Sequence, residues 1–139
     1  MTDPSQLKLL QEVSLSFDFV KDQADITHFW TLALSVPMTE LHHLLNCSKP
    51  SVVVIDVRSP QEYASGHVPK SFNIPMGEEI GHIEELVKRE KVYLYGNSGR
   101  RAQTVYTLLA KQGLTNLVCI SSSGIKEWIS SGLPVHYGS

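Results

Sequence analysis

Hydrophobic positions change their period several times along this chain, and each change marks an element. Leu7, Leu10 and Val13 recur at helical spacing behind Pro4, which predicts a short amphipathic helix. Leu15, Phe17 and Phe19 alternate as in a strand before the polar break from Lys21 to Asp25. Ile26 to Val36 is rich in apolar and aromatic groups but too short to span a bilayer. It is expected to pack on the domain or on a second copy of the chain. After Pro37 the pattern becomes regular. Thr39 caps a helix carrying Leu41, Leu44 and Leu45. The run Ser51 to Val57 is continuous and β-branched, as in a strand buried on both faces of a parallel sheet.

Ser59-Pro60-Gln61-Glu62 reads as a helix start, with Ser59 as cap, Pro60 in the first turn and Glu62 completing a capping box. Gly66, Pro69, Asn73 and Pro75 punctuate a loop around a short strand at Ser71 to Ile74. Ile80, Ile83, Leu86 and Val87 predict a helix over Glu78 to Arg89. A strand at Val92 to Tyr95, a polar loop at Gly96 to Arg101 and a helix from Arg101 to Lys111, closed by Gly113, follow. A strand at Leu117 to Ile120 and a helix at Ile125 to Ser130 lead to the extended Gly132 to Val135. This alternation predicts an α/β fold with a mostly parallel central sheet and helices on both faces. The division expected is an N-terminal extension over 1–36 and a domain over 37–139.

Composition narrows the function classes. With 42% hydrophobic and 19% charged residues among 139, the chain can bury a core. A formal charge of -2 argues against general binding to nucleic acid, and no run is long enough for a membrane span. Two cysteines, Cys47 and Cys119, match neither a disulfide framework nor a zinc pattern. Asp3 stands where an export signal carries Lys or Arg, so a cytoplasmic protein is expected. His42 and His43 are adjacent, hence on different faces of their helix, and no metal is expected.

Ligands of parallel α/β sheets bind beyond the carboxyl ends of the strands. The candidate loop there is Gly96-Asn97-Ser98-Gly99-Arg100-Arg101. Its glycines let successive N–H groups curl inward, the following helix adds its positive end, and two arginines add charge. That chemistry suits phosphate, sulfate or thiosulfate. The same six residues also make an ordinary polar surface turn.

The segment Val54-Ile55-Asp56-Val57-Arg58, with Glu62-Tyr63, Gly66-His67-Val68-Pro69 and Asn73-Ile74-Pro75, resembles the rhodanese family. So does the second half: strand, six-residue loop, helix, strand, then Gly124-Ile125-Lys126-Glu127-Trp128 and Gly132-Leu133-Pro134-Val135. The resemblance runs from about Pro37 to Val135. It implies a fold in which a Cys-x-x-Gly-x-Arg loop forms a persulfide with sulfur taken from thiosulfate or a related donor. Here Gly99 and Arg101 match that loop, and the nucleophile position falls on Gly96. A shifted register starting at Tyr93 supplies no thiol either. Ser123-Gly124 also departs from the family's usual Gly-Gly.

The resemblance therefore implies no catalytic residue, no cofactor, and a protein that lacks sulfurtransferase activity while keeping an anion-binding or partner-docking loop. A small oxyanion or sulfur donor, an unidentified protein partner, or a second copy of the chain through its N-terminal segment are the ligands and partners expected. Two enzyme alternatives stand beside it: a sulfurtransferase whose Cys was removed, or one in which Cys119, at the end of a neighbouring strand, serves instead. Ser98 has no flanking base and forms no persulfide. For Cys119, burial in the core is the favoured expectation. The resemblance gives Asp56 a role in ordering the loop, the same task as a strand-end Asp accepting turn N–H groups. Arg58 and Glu62 are spaced to pair on the surface, and His67 is expected to bond to backbone.

Overall fold

In a computed structural model the residues described are 36–46 and 51–139. The expected helix at Pro4 to Val13, the strand at Leu15 to Phe19, nearly all of the apolar stretch from Ile26, and Cys47 lie outside them. Within them the chain runs α1 (Glu40–Asn46), β1 (Val52–Asp56), α2 (Pro60–Ala64) and β2 (Phe72–Asn73). A 3-10 turn (Glu79–His82), α3 (Ile83–Leu86), β3 (Lys91–Tyr95), α4 (Arg100–Lys111), β4 (Leu117–Cys119) and α5 (Ile125–Ser130) complete it.

The four strands form one parallel sheet in the order β2-β1-β3-β4. Alternation along the strands explains the two layers of core. Val53, Ile55, Val92, Leu94 and Cys119 face one side, where Ala102, Val105, Tyr106 and Leu109 of α4 and Leu86 of α3 cover them. Val54, Tyr95 and Ile120 belong to the other side, with Met38, Leu41 of α1, and Ile125 and Trp128 of α5. Both faces of β1 and β3 are covered, so their sequences are apolar almost without interruption. The predicted α/β architecture is the one observed.

The helix expected over Glu78 to Arg89 is shortened and divided. Glu79 is buried and turns its carboxylate back to accept the Gly77 N–H at 2.6 Å, which suits a tight turn better than an α-helical start. Gly81 adds a residue of low helix propensity in the same turn. Ile80 and Val87 are exposed, and only Ile83 and Leu86 of the expected stripe meet the core. Four apolar residues at helical spacing were thus too few to fix three turns of helix.

Candidate functional site

β3 ends at Tyr95, and the chain turns through Gly96, Asn97, Ser98 and Gly99 before α4 begins. Three backbone contacts shape this turn. Gly99 has φ +97°, a left-handed conformation, and a Cβ there would lie 2.1 Å from the Ser121 carbonyl oxygen. Gly124 abuts the other side of the loop, where a Cβ would fall 2.2 Å from the Gly96 oxygen and 2.5 Å from that of Asn97. The Ile125 N–H donates to the Gly96 carbonyl at 3.0 Å. A trans peptide points its C=O and N–H in opposite directions, so this bond turns the Asn97 N–H away from α5.

α4 starts without a side-chain cap, because its cap residue is Gly99. Its first backbone bond from outside the helix is Gln103 N–H to the Gly99 carbonyl, at 3.0 Å. Among the described residues, the N–H groups from Asn97 to Ala102 have no acceptor. Loop and helix start therefore present a run of donors together with the positive end of a twelve-residue helix. Such a run can hold an anion.

Gly96 differs from the other two glycines. Its φ lies outside the left-handed region, and a Cβ would meet Val57 Cγ2 at 3.6 Å, with the Ala102 nitrogen and Arg101 Cβ at 3.8 Å. These are ordinary van der Waals separations. A side chain at this position would fit, facing the first turn of α4. Nothing in the local backbone demands glycine.

The charged residues pair differently from the sequence expectation. Arg58 and Glu62 do not meet. Arg58 is buried against Asp56, donating from Nη2 to Oδ2 at 2.7 Å and from Nε to both carboxylate oxygens at 3.1 Å. It also donates to the Gly66 carbonyl at 2.7 Å, and its own N–H reaches Asp56 Oδ1 at 2.9 Å. Asp56 thus accepts from a turn N–H at the strand end, and its Arg58 partner holds the turn at Gly66. Its hydrogen bonds go to the turn after β1 and not to the 96–101 loop. The reason is reach: two residues on, Arg58 can fold back over a buried carboxylate and saturate it.

Glu62 pairs instead with Arg101, 39 residues away, at 2.6 Å (Nη1 to Oε1) and 2.9 Å (Nη2 to Oε2). It also completes the expected capping box with Ser59. Hydrogen bonds from Arg101 foremost, then those from Ser59, hold the Glu62 carboxyl down to about 2. The loop's second arginine is therefore committed, while Arg100 and Ser98 are exposed and Asn97 is half-buried. Sequence reasoning missed Glu62 as a site residue. Its capping-box position was the signal that its carboxylate would be held in place.

His67 has its contacts outside the loop. Its ring stacks on Tyr63 at 3.6 Å between centroids, Nδ1 bonds to the Tyr63 carbonyl at 2.7 Å, and its backbone bridges His136. Cys119 is wholly buried in the α4-side core, and burial pushes its thiol up to about 12. A thiol of that kind carries little thiolate near neutral pH. Among the described residues, no group of three or more His, Cys, Asp or Glu can hold a metal ion. No helix among them is long and apolar enough to cross a membrane.

Comparison with known proteins identifies the fold. The rhodanese-like domain model matches residues 38–131. A sulfurtransferase of Allochromatium vinosum is 31% identical over 84 residues, covering 60% of this chain and 78% of its own. The thiosulfate sulfurtransferase PspE of Escherichia coli is 33% identical over 75 residues, covering 52% and 70%. A solved structure described as a rhodanese with anions from E. coli superposes with a TM-score of 0.53 at 29% identity, covering 63% of this chain and 99% of that one.

Proposed function

The chain belongs to the rhodanese-like domain family, and from that premise we propose that it lacks sulfurtransferase activity of its own and uses its 96–101 loop to bind a small anion or dock a partner. One observation carries the reading: a run of N–H groups without acceptors among the described residues follows a position, Gly96, that bears no side chain, and the Ala102 nitrogen lies 3.8 Å from where its Cβ would be. The relatives named as sulfurtransferases support the ancestry of the pocket, and the neighbour described with anions supports the ligand class. A glycine offers no thiolate, and the thiol of Cys119 is sealed in the core. The reading includes a cytoplasmic location, for which that unpaired thiol is the support.

The test is thiocyanate formation from thiosulfate and cyanide, with the native chain and Gly96→Cys side by side. In the variant, the thiolate attacks the outer sulfur of thiosulfate, the S–S bond breaks and sulfite leaves. Cyanide then takes the bound sulfur and the thiolate is regenerated. The loop amides would lower the thiol pKa and stabilise the anions involved. Turnover by the variant alone is the expected result. Turnover by the native chain at a comparable rate overturns the proposal.

A further inference from the structure

We propose that His67 and His136 form a two-histidine site for a divalent transition-metal ion of the imidazole-binding kind, and that the bound ion staples residues 136–138 to the end of α2. The two residues lie far apart in the sequence and meet as an isolated antiparallel bridge. The His67 N–H donates to the His136 carbonyl at 2.8 Å, and the His136 N–H donates back to the His67 carbonyl at 2.9 Å. Residues directly opposite each other in such a pair put their side chains on the same face.

His67 is prepared as a ligand. A carbonyl oxygen only accepts, so the 2.7 Å bond between Nδ1 and the Tyr63 carbonyl puts the proton of the neutral ring on Nδ1. The lone pair then stands on Nε2, which is how a backbone carbonyl orients many metal-binding imidazoles. Nε2 has no hydrogen-bond partner among the described residues and is not sealed from solvent. Stacking on Tyr63 fixes the plane of the ring by covering a face, whereas a metal is bound at the edge. Arg58 holds the preceding Gly66 carbonyl at 2.7 Å, and its charge is matched by Asp56.

His136 supplies the second nitrogen. The ring centroids are 6.3 Å apart, with the planes at 84°. A ligating nitrogen lies about 2.0–2.1 Å from its ion and about 1.1 Å from its ring centre, so two rings on one ion stand roughly 4.5–6.4 Å apart. The pair falls inside that span, and His136 is exposed, so its ring can turn to set the angle. Imidazole nitrogens favour Zn²⁺, Ni²⁺ or Cu²⁺ over Mg²⁺, which seeks oxygen. Two side chains leave the remaining positions to water, and the ion is therefore exchangeable. The Gly138 N–H donates to the Ala64 carbonyl at 2.8 Å, so lifting this segment off α2 breaks that bond and separates the two rings. An ion that binds only the closed arrangement resists the opening.

The experiment follows the histidine ring resonances of the full chain during titration with Zn²⁺, and with Mg²⁺ as the contrast. Zn²⁺ should move the rings of His67 and His136 together, and Mg²⁺ should move neither. At about ten times the Zn²⁺ dissociation constant, hydrogen exchange of the His136 and Gly138 amides should slow by about tenfold. His136→Ala should weaken Zn²⁺ binding at His67 by about tenfold or more, and His136→Gln, which keeps a polar side chain, should do the same. The proposal is overturned if Zn²⁺ moves only other histidines, if Mg²⁺ acts equally, or if both variants keep the native affinity at His67. Paired ring shifts without slowed exchange overturn the staple.

Discussion

Two polar clusters lie at the carboxyl ends of neighbouring strands, and they are built on opposite principles. At the end of β1, Asp56, Arg58 and the Gly66 carbonyl form a buried, side-chain-made cluster whose donors and acceptors satisfy one another. At the end of β3, the 96–102 segment is made of backbone, and its donors have no acceptor among the described residues. A saturated cluster holds loops in place. A run of unanswered donors can be completed only by water or a ligand. Both clusters carry residues of the rhodanese pattern, so one pattern covers a saturated group of side chains and an open run of backbone donors.

The sharpest break of this comparison is at Asp56. Asp56→Ala leaves the Arg58 guanidinium buried without its anion and should cost about 3–5 kcal/mol, read by urea denaturation. A loss under about 1 kcal/mol would mean the cluster is not a structural hub. Next comes Gly99→Ala, which forces a Cβ against the Ser121 carbonyl at a left-handed φ. We expect a loss of about 3 kcal/mol, and a stability close to native would contradict the backbone contact described.

Glu62→Gln should have a smaller, pH-dependent effect. The folded carboxyl titrates near 2, below its ordinary 4.5, so its contribution is fully present above pH 4.5 and is lost as pH falls toward 2. Because both partners are about a third exposed, the difference between native and variant should be only about 1 kcal/mol at neutral pH. Denaturation at pH 7, 4 and 2.5 checks it, and a difference that grows on acidification would show the sign to be wrong. The smallest effect is expected at Gly96→Ala, within about 0.5 kcal/mol, since a Cβ there meets only ordinary contacts. A large loss would make Gly96 a structural requirement and undercut the reading of the loop as a pocket without its nucleophile.

Much of this was legible in the chain. The β-branched run at Val52 to Asp56 fixed a buried strand because both its faces need apolar cover, and the observed sheet supplies it. Ser59, Pro60 and Glu62 announced a helix start that the structure reproduces atom for atom as a capping box. The stripe from Ile80 to Val87 misled, because local spacing says which residues share a helical face but not whether a core exists opposite that face. Exposure of Ile80 and Val87 shows that only half the face is covered.

Within the described residues, the run of strands, the place of the loop after β3 and the absence of a thiol within it could be read from the chain alone. Those depend on residue identity and short-range geometry. Tertiary structure alone decided the pairings. Arg58 chose Asp56 two residues back, Glu62 chose Arg101 39 residues ahead, and Gly124 came to rest against the Gly96 carbonyl. It also sealed Cys119 beneath α4. Partners of that kind are set by which strand ends the sheet brings together, and a linear pattern carries no measure of that distance.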